Sequence, residues 1–334
     1  MSEEQAAPEV LKPLKTWSHL SGNRRRPSEY EVVSTNLHYR NSNTEAPWEQ
    51  SPDSYMNEYY NKYCYGSALK HDDWDAFRDP DELVYRTYNM LQDGQETYVN
   101  GLFAQFEERE HDIALEADWV ALLPKLYTPS RYLFHTVQMA SAYIGQMAPG
   151  STITNCCTFQ TGDSIRWLSH TAYRTKELDN HCPDNGFGTT ERETWENAAE
   201  WQGFRELMEK ALVAWDWAES FVAINLVAKP AIEEALLTQL GNTARAQGDT
   251  LLGLLTQAQM LDATRHRRWA GAMVKMALET DGNKEVLDGW IAKWEPLADA
   301  AIEAYCAALP DSPNAAEDAK AATRVARTTM GIGG

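Results

Sequence analysis

From residue 79 onward, apolar residues recur at helical spacings. Asp79-Pro80-Asp81-Glu82 supplies an N-cap, a first-turn proline and a carboxylate placed for a capping box, and predicts a helix from there to about His111. Thr128-Pro129 opens a second helix that ends near Ala148-Pro149-Gly150. The stretch 151–180 has no proline and one glycine, so it reads as a long helix. Pro183 to Gly188 is a loop, and Thr190 with Glu193 predicts the next capping box. Phe204, Leu207, Met208, Ala211, Trp215, Ala218 and Val222 predict one buried helical face. Pro230 kinks or restarts that helix. Gly248-Asp249 stops one helix and caps the next, whose stripe is Leu251, Leu254, Leu255 and Ala258. Leu287, Trp290, Ile291 and Trp294 mark another, and Pro296 predicts a new start. Residues after about 310 read as an Ala-rich helix with a Gly-rich end. No strand alternation appears, so the pattern predicts an all-α bundle of long helices.

Residues 1–75 break this rhythm. They carry Pro13, Pro27, Pro47 and Pro52 among Trp17, Trp48, Tyr30, Tyr39, Tyr55, Tyr59, Tyr60 and Tyr63. Helical spacing is poor, yet the segment is too aromatic for a disordered tail. It reads as an extended arm lying on its own domain or on a partner. The expected organisation is an arm over 1–75, a helical domain over 76–310, and a C-terminal helix with a frayed tail over 311–334.

Charge and cysteine content narrow the partners. The formal net charge of -19 opposes nucleic acid and anionic membranes. The five cysteines, with no C-x-x-C spacing, give neither a disulfide framework nor a zinc site. No run of 18 apolar residues and no signal-peptide stretch occurs, so a cytoplasmic protein is expected. Twelve Trp and fifteen Tyr fit an aromatic core, an interface, or both.

A diiron site in a four-helix bundle takes one Glu from each of two helices and Glu-x-x-His from each of the other two. One literal match exists, Glu108-Arg109-Glu110-His111, inside a charged run that reads as a solvated helix face. No second motif completes a cage. A different pair shares one register: Gly162-Asp163-Ser164-Ile165-Arg166-Trp167 and Leu261-Asp262-Ala263-Thr264-Arg265-His266 both contain Asp-x-x-Arg. In the intact pattern Asp-Glu-x-Arg-His, Glu and His bind metal while Asp and Arg orient them. Here the orienting pair stands twice and the ligands are largely gone. His135 and His170 read as satisfied core or interface histidines. Arg24-Arg25-Arg26 reads as a solvated triplet or an anchor for the arm. Gly-x-Ser-x-Gly, phosphate-loop and dinucleotide motifs are absent.

The sequence resembles the β subunit of the hydroxylase of bacterial multicomponent toluene (toluene/o-xylene type) diiron monooxygenases. The resemblance runs over roughly residues 11–310. It is carried by Lys15-Thr16-Trp17-Ser18-His19-Leu20, Arg26-Pro27-Ser28-Glu29-Tyr30-Glu31, Leu69-Lys70-His71-Asp72 through Asp79-Pro80-Asp81, and Leu83-Val84-Tyr85-Arg86-Thr87-Tyr88-Asn89. Arg131-Tyr132-Leu133-Phe134-His135, His170-Thr171-Ala172-Tyr173-Arg174-Thr175, Trp201-Gln202-Gly203-Phe204-Arg205-Glu206-Leu207 and Trp294-Glu295-Pro296-Leu297-Ala298-Asp299 extend it. It implies a ferritin-like helical bundle, similar in fold to a catalytic α subunit that holds the diiron centre. It also implies α and γ partners in an (αβγ)2 assembly served by a regulatory protein, a Rieske ferredoxin and an NADH-dependent reductase. Aligning the α subunit's two motifs on Asp163 and Asp262 carries its six ligand positions onto Phe134, Ser164, Trp167, Lys229, Ala263 and His266. Only His266 is a competent ligand. The implication is no catalytic, cofactor or metal residue in this chain, and the expectation is that Lys229 pairs with Asp163 or Asp262.

Three functions therefore compete. The first is a non-catalytic scaffold subunit of an aromatic hydrocarbon monooxygenase that uses O2 and NADH. The second is an independent diiron enzyme, which needs a dinuclear ligand set. The third is a helical adaptor outside oxygenase chemistry, which co-purification with an iron-bearing homologue would exclude.

Overall fold

The computed structural model describes residues 27–34 and 55–333. Among these residues there are helices and turns but no strand. Two short helices, α1 (Glu29–Ser34) and α2 (Tyr55–Tyr60), fall within the segment expected to be an arm, and α2 runs on into a wide π turn, Asn61–Tyr65. Tyr30 of α1 is buried, and its hydroxyl accepts from the Asp79 amide at 3.0 Å. Arg24, Arg25 and Arg26 lie outside the described residues.

The long helices follow. They are α3 (Tyr85–Glu108), α4 (Ala117–Leu126), α5 (Ser130–Met147) and α6 (Ser151–His181). After α7 (Glu191–Asn197) and α8 (Ala199–Ala211) comes one continuous helical rod. It consists of α9 (Trp217–Phe221), a π segment, α10 (Lys229–Ile232), a second π segment and α11 (Leu240–Ala246). The last helices are α12 (Thr250–Ala277), α13 (Asn283–Cys306) and α14 (Ala315–Thr329). The helices α5, α6, α9–α11 and α12 surround the central core; α3 packs on α12, and α13 packs on α8. The last contact is close because residue 203 is glycine: a Cβ there would stand 2.5 Å from Ala301 Cα.

Several boundaries differ from those the sequence predicts. The helix expected from Asp79 begins at Tyr85. The Asp79 carboxylate instead accepts from the amides of Asp81 and Leu83, closing a tight turn before Val84. The capping box expected at Thr190 and Glu193 does not form; Glu191 instead accepts from the Gly188 amide at 2.7 Å. The face from Phe204 to Val222 is not one helix. The chain turns at 212–216, and Asp216 caps α9 by accepting from Ala218 and Glu219. Apolar spacing carried across the break by chance. Pro296 starts nothing and sits inside α13. Pro230 also lies inside its rod, flanked by π segments. It donates no hydrogen bond to Leu226, four residues earlier, and that carbonyl accepts from Arg327 at 3.3 Å instead.

Candidate functional site

At mid-height of the bundle, α6 and α12 face each other through Asp163 and Asp262, both buried. Each Asp-x-x-Arg motif closes on itself and on its counterpart. Arg265 donates to Asp163 at 2.6 Å and to Asp262 at 3.0 Å. Arg166 donates to Asp262 at 3.0 Å and lies 3.4 Å from Asp163. Helix α3 supplies the remaining donors. Gln92 Nε2 bridges the two carboxylates at 2.7 and 2.9 Å, and Tyr88 donates to Asp163 at 2.9 Å. Tyr88 reaches that far because residue 162 is glycine, whose missing Cβ would lie 2.6 Å from the phenol oxygen. Arg166 also meets Glu96 at 2.7 Å, and the buried His170 joins Glu96 at 2.9 Å. His135, by contrast, is exposed.

The two aspartates make one further, matched contact. Asp163 accepts from His266 Nε2 at 2.8 Å, and Asp262 accepts from Trp167 Nε1 at 3.1 Å. His266 and Trp167 occupy the same place in their motifs, so each aspartate orients the ring on the opposite helix. Burial first, then the cations Lys229 and Arg265, push the His266 imidazole well below its usual pKa. The ring is therefore neutral at pH 7. It carries its proton on Nε2, leaving a bare Nδ1 without a protein partner.

Of the six positions singled out by register, Phe134, Trp167, Lys229 and His266 come together, and Ser164 and Ala263 are buried on the same two helices as Trp167 and His266. Phe134 and Trp167 meet edge to face with centroids 5.6 Å apart, and Trp167 and His266 lie 6.0 Å apart. Lys229 Nζ stands 5.2 Å from the Trp167 centroid. Ser164 is buried and returns its hydroxyl to Gln160 O at 2.9 Å, and Ala263 is fully buried. The expected pairing of Lys229 with Asp163 or Asp262 is not found. Lys229 pairs with Glu233, one turn on, at 2.9 Å. Glu233 is also held by Arg267 at 2.7 Å, and Arg267 spans to Glu234 at 2.9 Å. Both aspartates already have two guanidinium partners, which leaves the lysine to Glu233. Burial raises the Glu233 carboxyl, but Lys229 and Arg267 carry it below the ordinary value. The i,i+4 spacing was visible in the sequence and was the missed signal.

A second polar layer lies three turns along α6. Arg174, fully buried, pairs with Asp112 at 2.5 Å and with Asp249 at 3.3 Å. Asp249 caps α12 through the Leu252 amide and accepts from Trp119 at 3.2 Å. Here the reading of Glu108–His111 as a solvated face fails for its histidine. Helix α3 ends at Glu108, and His111 turns inward to sit 3.2 Å from Asp249. Among the described residues, no group of three or more His, Cys, Asp or Glu is arranged to hold a metal ion. No described helix is long and apolar enough to cross a membrane.

The comparisons with known proteins agree on what this bundle is. A family model described as methane/phenol/alkene hydroxylase matches residues 48–281, and the chain belongs to that family. It is 57% identical over 301 residues to the β subunit of the toluene-4-monooxygenase hydroxylase component of Ectopseudomonas mendocina, a match spanning 90% of this chain and 92% of the relative. A chain of the toluene 4-monooxygenase structure with toluene in its resting active site superposes with TM-score 0.86 at 57% identity, over 90% of this chain and 99% of that one. Phenol hydroxylase from Pseudomonas sp. OX1 shares the fold, with TM-score 0.82 at 21% identity over 98% of each chain.

Proposed function

We propose that this chain is the non-catalytic β-type subunit of an aromatic hydrocarbon monooxygenase, and that its bundle supports a homologous α subunit holding the diiron centre. As a counterpart of the toluene-4-monooxygenase β subunit, it is a component of a monooxygenase hydroxylase. The reading extends this to α and γ partners in an (αβγ)2 assembly, fed by a regulatory protein, a Rieske ferredoxin and an NADH-dependent reductase. The reaction would be insertion of one oxygen atom of O2 into a toluene-like ring. Regiochemistry would be set in the α subunit.

The observation that carries the non-catalytic assignment is the content of the cage. An iron pair needs several carboxylates to balance its charge. The corresponding positions here are Phe134, Ser164, Lys229 and Ala263, with Trp167 in place of one imidazole. The one remaining ligand, His266, faces a buried ammonium that repels a metal cation. The residues present do not fit an iron pair. What they do is structural: the carboxylates that would orient ligands hold the helices together by ion pairs instead.

Metal analysis tests this. The chain purified alone should bind no iron at stoichiometric level, and the co-expressed hydroxylase should carry its iron in the partner. An iron pair bound by the isolated chain would overturn the reading in favour of an independent diiron enzyme.

A further inference from the structure

Helices α3 and α12 pack antiparallel. Gln92 reaches Asp262, while further along Val99, Leu102 and Phe106 pack with Leu251, Leu255 and Ala258. On the solvent side of this seam stand Leu91 and Tyr98 from α3, and Leu254 and Leu261 from α12. Each pair is seven residues apart. Leu91, Tyr98 and Leu261 are 41%, 46% and 56% exposed, and the neighbouring Met90 is 65% exposed. A third heptad pair lies on the same stretch of α3. Gly94 and Gly101 would each admit a Cβ with nothing within 4 Å, and neither has a positive φ. Neither backbone conformation nor internal packing calls for glycine there. Glycine is also the poorest helix former after proline.

A seven-residue repeat is the spacing that a nearly parallel helix reads, and missing side chains let its backbone approach closely. We infer that a helix of the iron-bearing subunit lies in the groove between α3 and α12, against Gly94 and Gly101. This rests on the reading of the chain as a β-type subunit. The area fits. Four large side chains, about half exposed at roughly 200 Å² each, present roughly 400 Å² of apolar surface. That is about the apolar half of the roughly 800 Å² one partner gives a standard interface. The exposed charges on α3 are the acidic Asp93, Glu107 and Glu108 and one cation near its start, Arg86, which is already paired with Glu29. The cations at the other end of the seam, Arg86 and Arg268, are taken by Glu29 and Asp81, so the incoming helix is apolar at its heptad positions and basic where it passes Glu107 and Glu108.

The test uses the chain co-expressed with its iron-bearing homologue, with affinity read by native mass spectrometry and folding by thermal melting. G94W and L261R should each weaken assembly at least a hundredfold. I165R, at an exposed site on α6 outside the seam, should change it less than twofold. G94A separates packing from folding. It should raise the melting temperature of the free chain, because alanine favours helix, while lowering affinity for the partner. Full assembly by G94W and L261R would overturn the groove. So would loss of self-association with the mixed complex intact, since the occupant would then be a second copy. If the wild-type chain fails to join the iron-bearing homologue at all, the subunit reading itself falls, and the groove with it.

Discussion

The two polar layers of the bundle are built from the same residue types and reach opposite balances. In the layer of Asp163 and Asp262, two carboxylates face two guanidiniums, Arg166 and Arg265, and the remaining acceptor capacity is taken by neutral donors from Tyr88, Gln92, Trp167 and His266. In the layer roughly 16 Å further along α6, two carboxylates share one guanidinium, Arg174. The carboxylates at their edges also differ. Glu96, beside the first layer, is raised by burial but held below its ordinary pKa overall by His170 and Arg166. Glu177, beside the second, is pushed up to about 7 by burial, which Arg174 opposes and to which Asp112 and Glu107 add less. The first layer is a closed set of ion pairs. In the second, Asp112 and Asp249 share one guanidinium and each meets a histidine, His181 and His111, while Glu177 beside them holds its proton chiefly because it is buried.

The sharpest way to break this comparison is to open the closed layer. D163N keeps the volume but removes the charge that Arg265 and His266 both face, leaving a buried guanidinium partly uncompensated. The expected loss is about 3–5 kcal/mol, read by urea or thermal unfolding. A D163N protein as stable as wild type would mean the layer is not held by its charges. Next in size is K229M, which strips Glu233 of its lysine but leaves it Arg267. It should cost about 3 kcal/mol, the low end for breaking a buried pair. The double variant K229M/E233Q should recover at least half of that. Recovery would show that the ammonium is tolerated because of its carboxylate, not required for packing.

How much of this was legible in the sequence depends on the reach of each interaction. The Asp-x-x-Arg repeats were visible because each closes within one helical turn, and the Gly248-Asp249 boundary because a cap is local. Lys229 with Glu233 is equally local, an i,i+4 pair, whereas the expected pairing with the aspartates spans different helices. Tyr88 and Gln92 gave no signal, since they reach Asp163 from 75 and 71 residues away. Nor did His111, whose partner Asp249 lies 138 residues on. The break at 212–216 was hidden because its apolar residues keep a helical spacing across a turn. Pro230 and Pro296 were read as boundaries because the sequence does not show what can absorb a proline. For Pro230 that is two π segments and a distant arginine, Arg327.

The smallest expected effect tests the open layer directly. Glu177 keeps its proton up to about pH 7 in the folded chain, against an ordinary value of 4.5. Below 4.5 both folded and unfolded chains are protonated there, and the group costs nothing. Between 4.5 and 7 the unfolded chain has released the proton while the folded chain retains it, so stability falls as pH rises. Above 7 the full cost is present. E177Q removes the titration without removing the side chain. It should match wild type at about pH 4 and exceed it by about 1 kcal/mol at about pH 8, a figure reduced for the solvent that still reaches the carboxyl. Melting curves of both proteins across that range supply the comparison. A gap that stays constant with pH would mean that burial does not hold the proton on Glu177 in the folded chain. The edges of the two layers would then be alike.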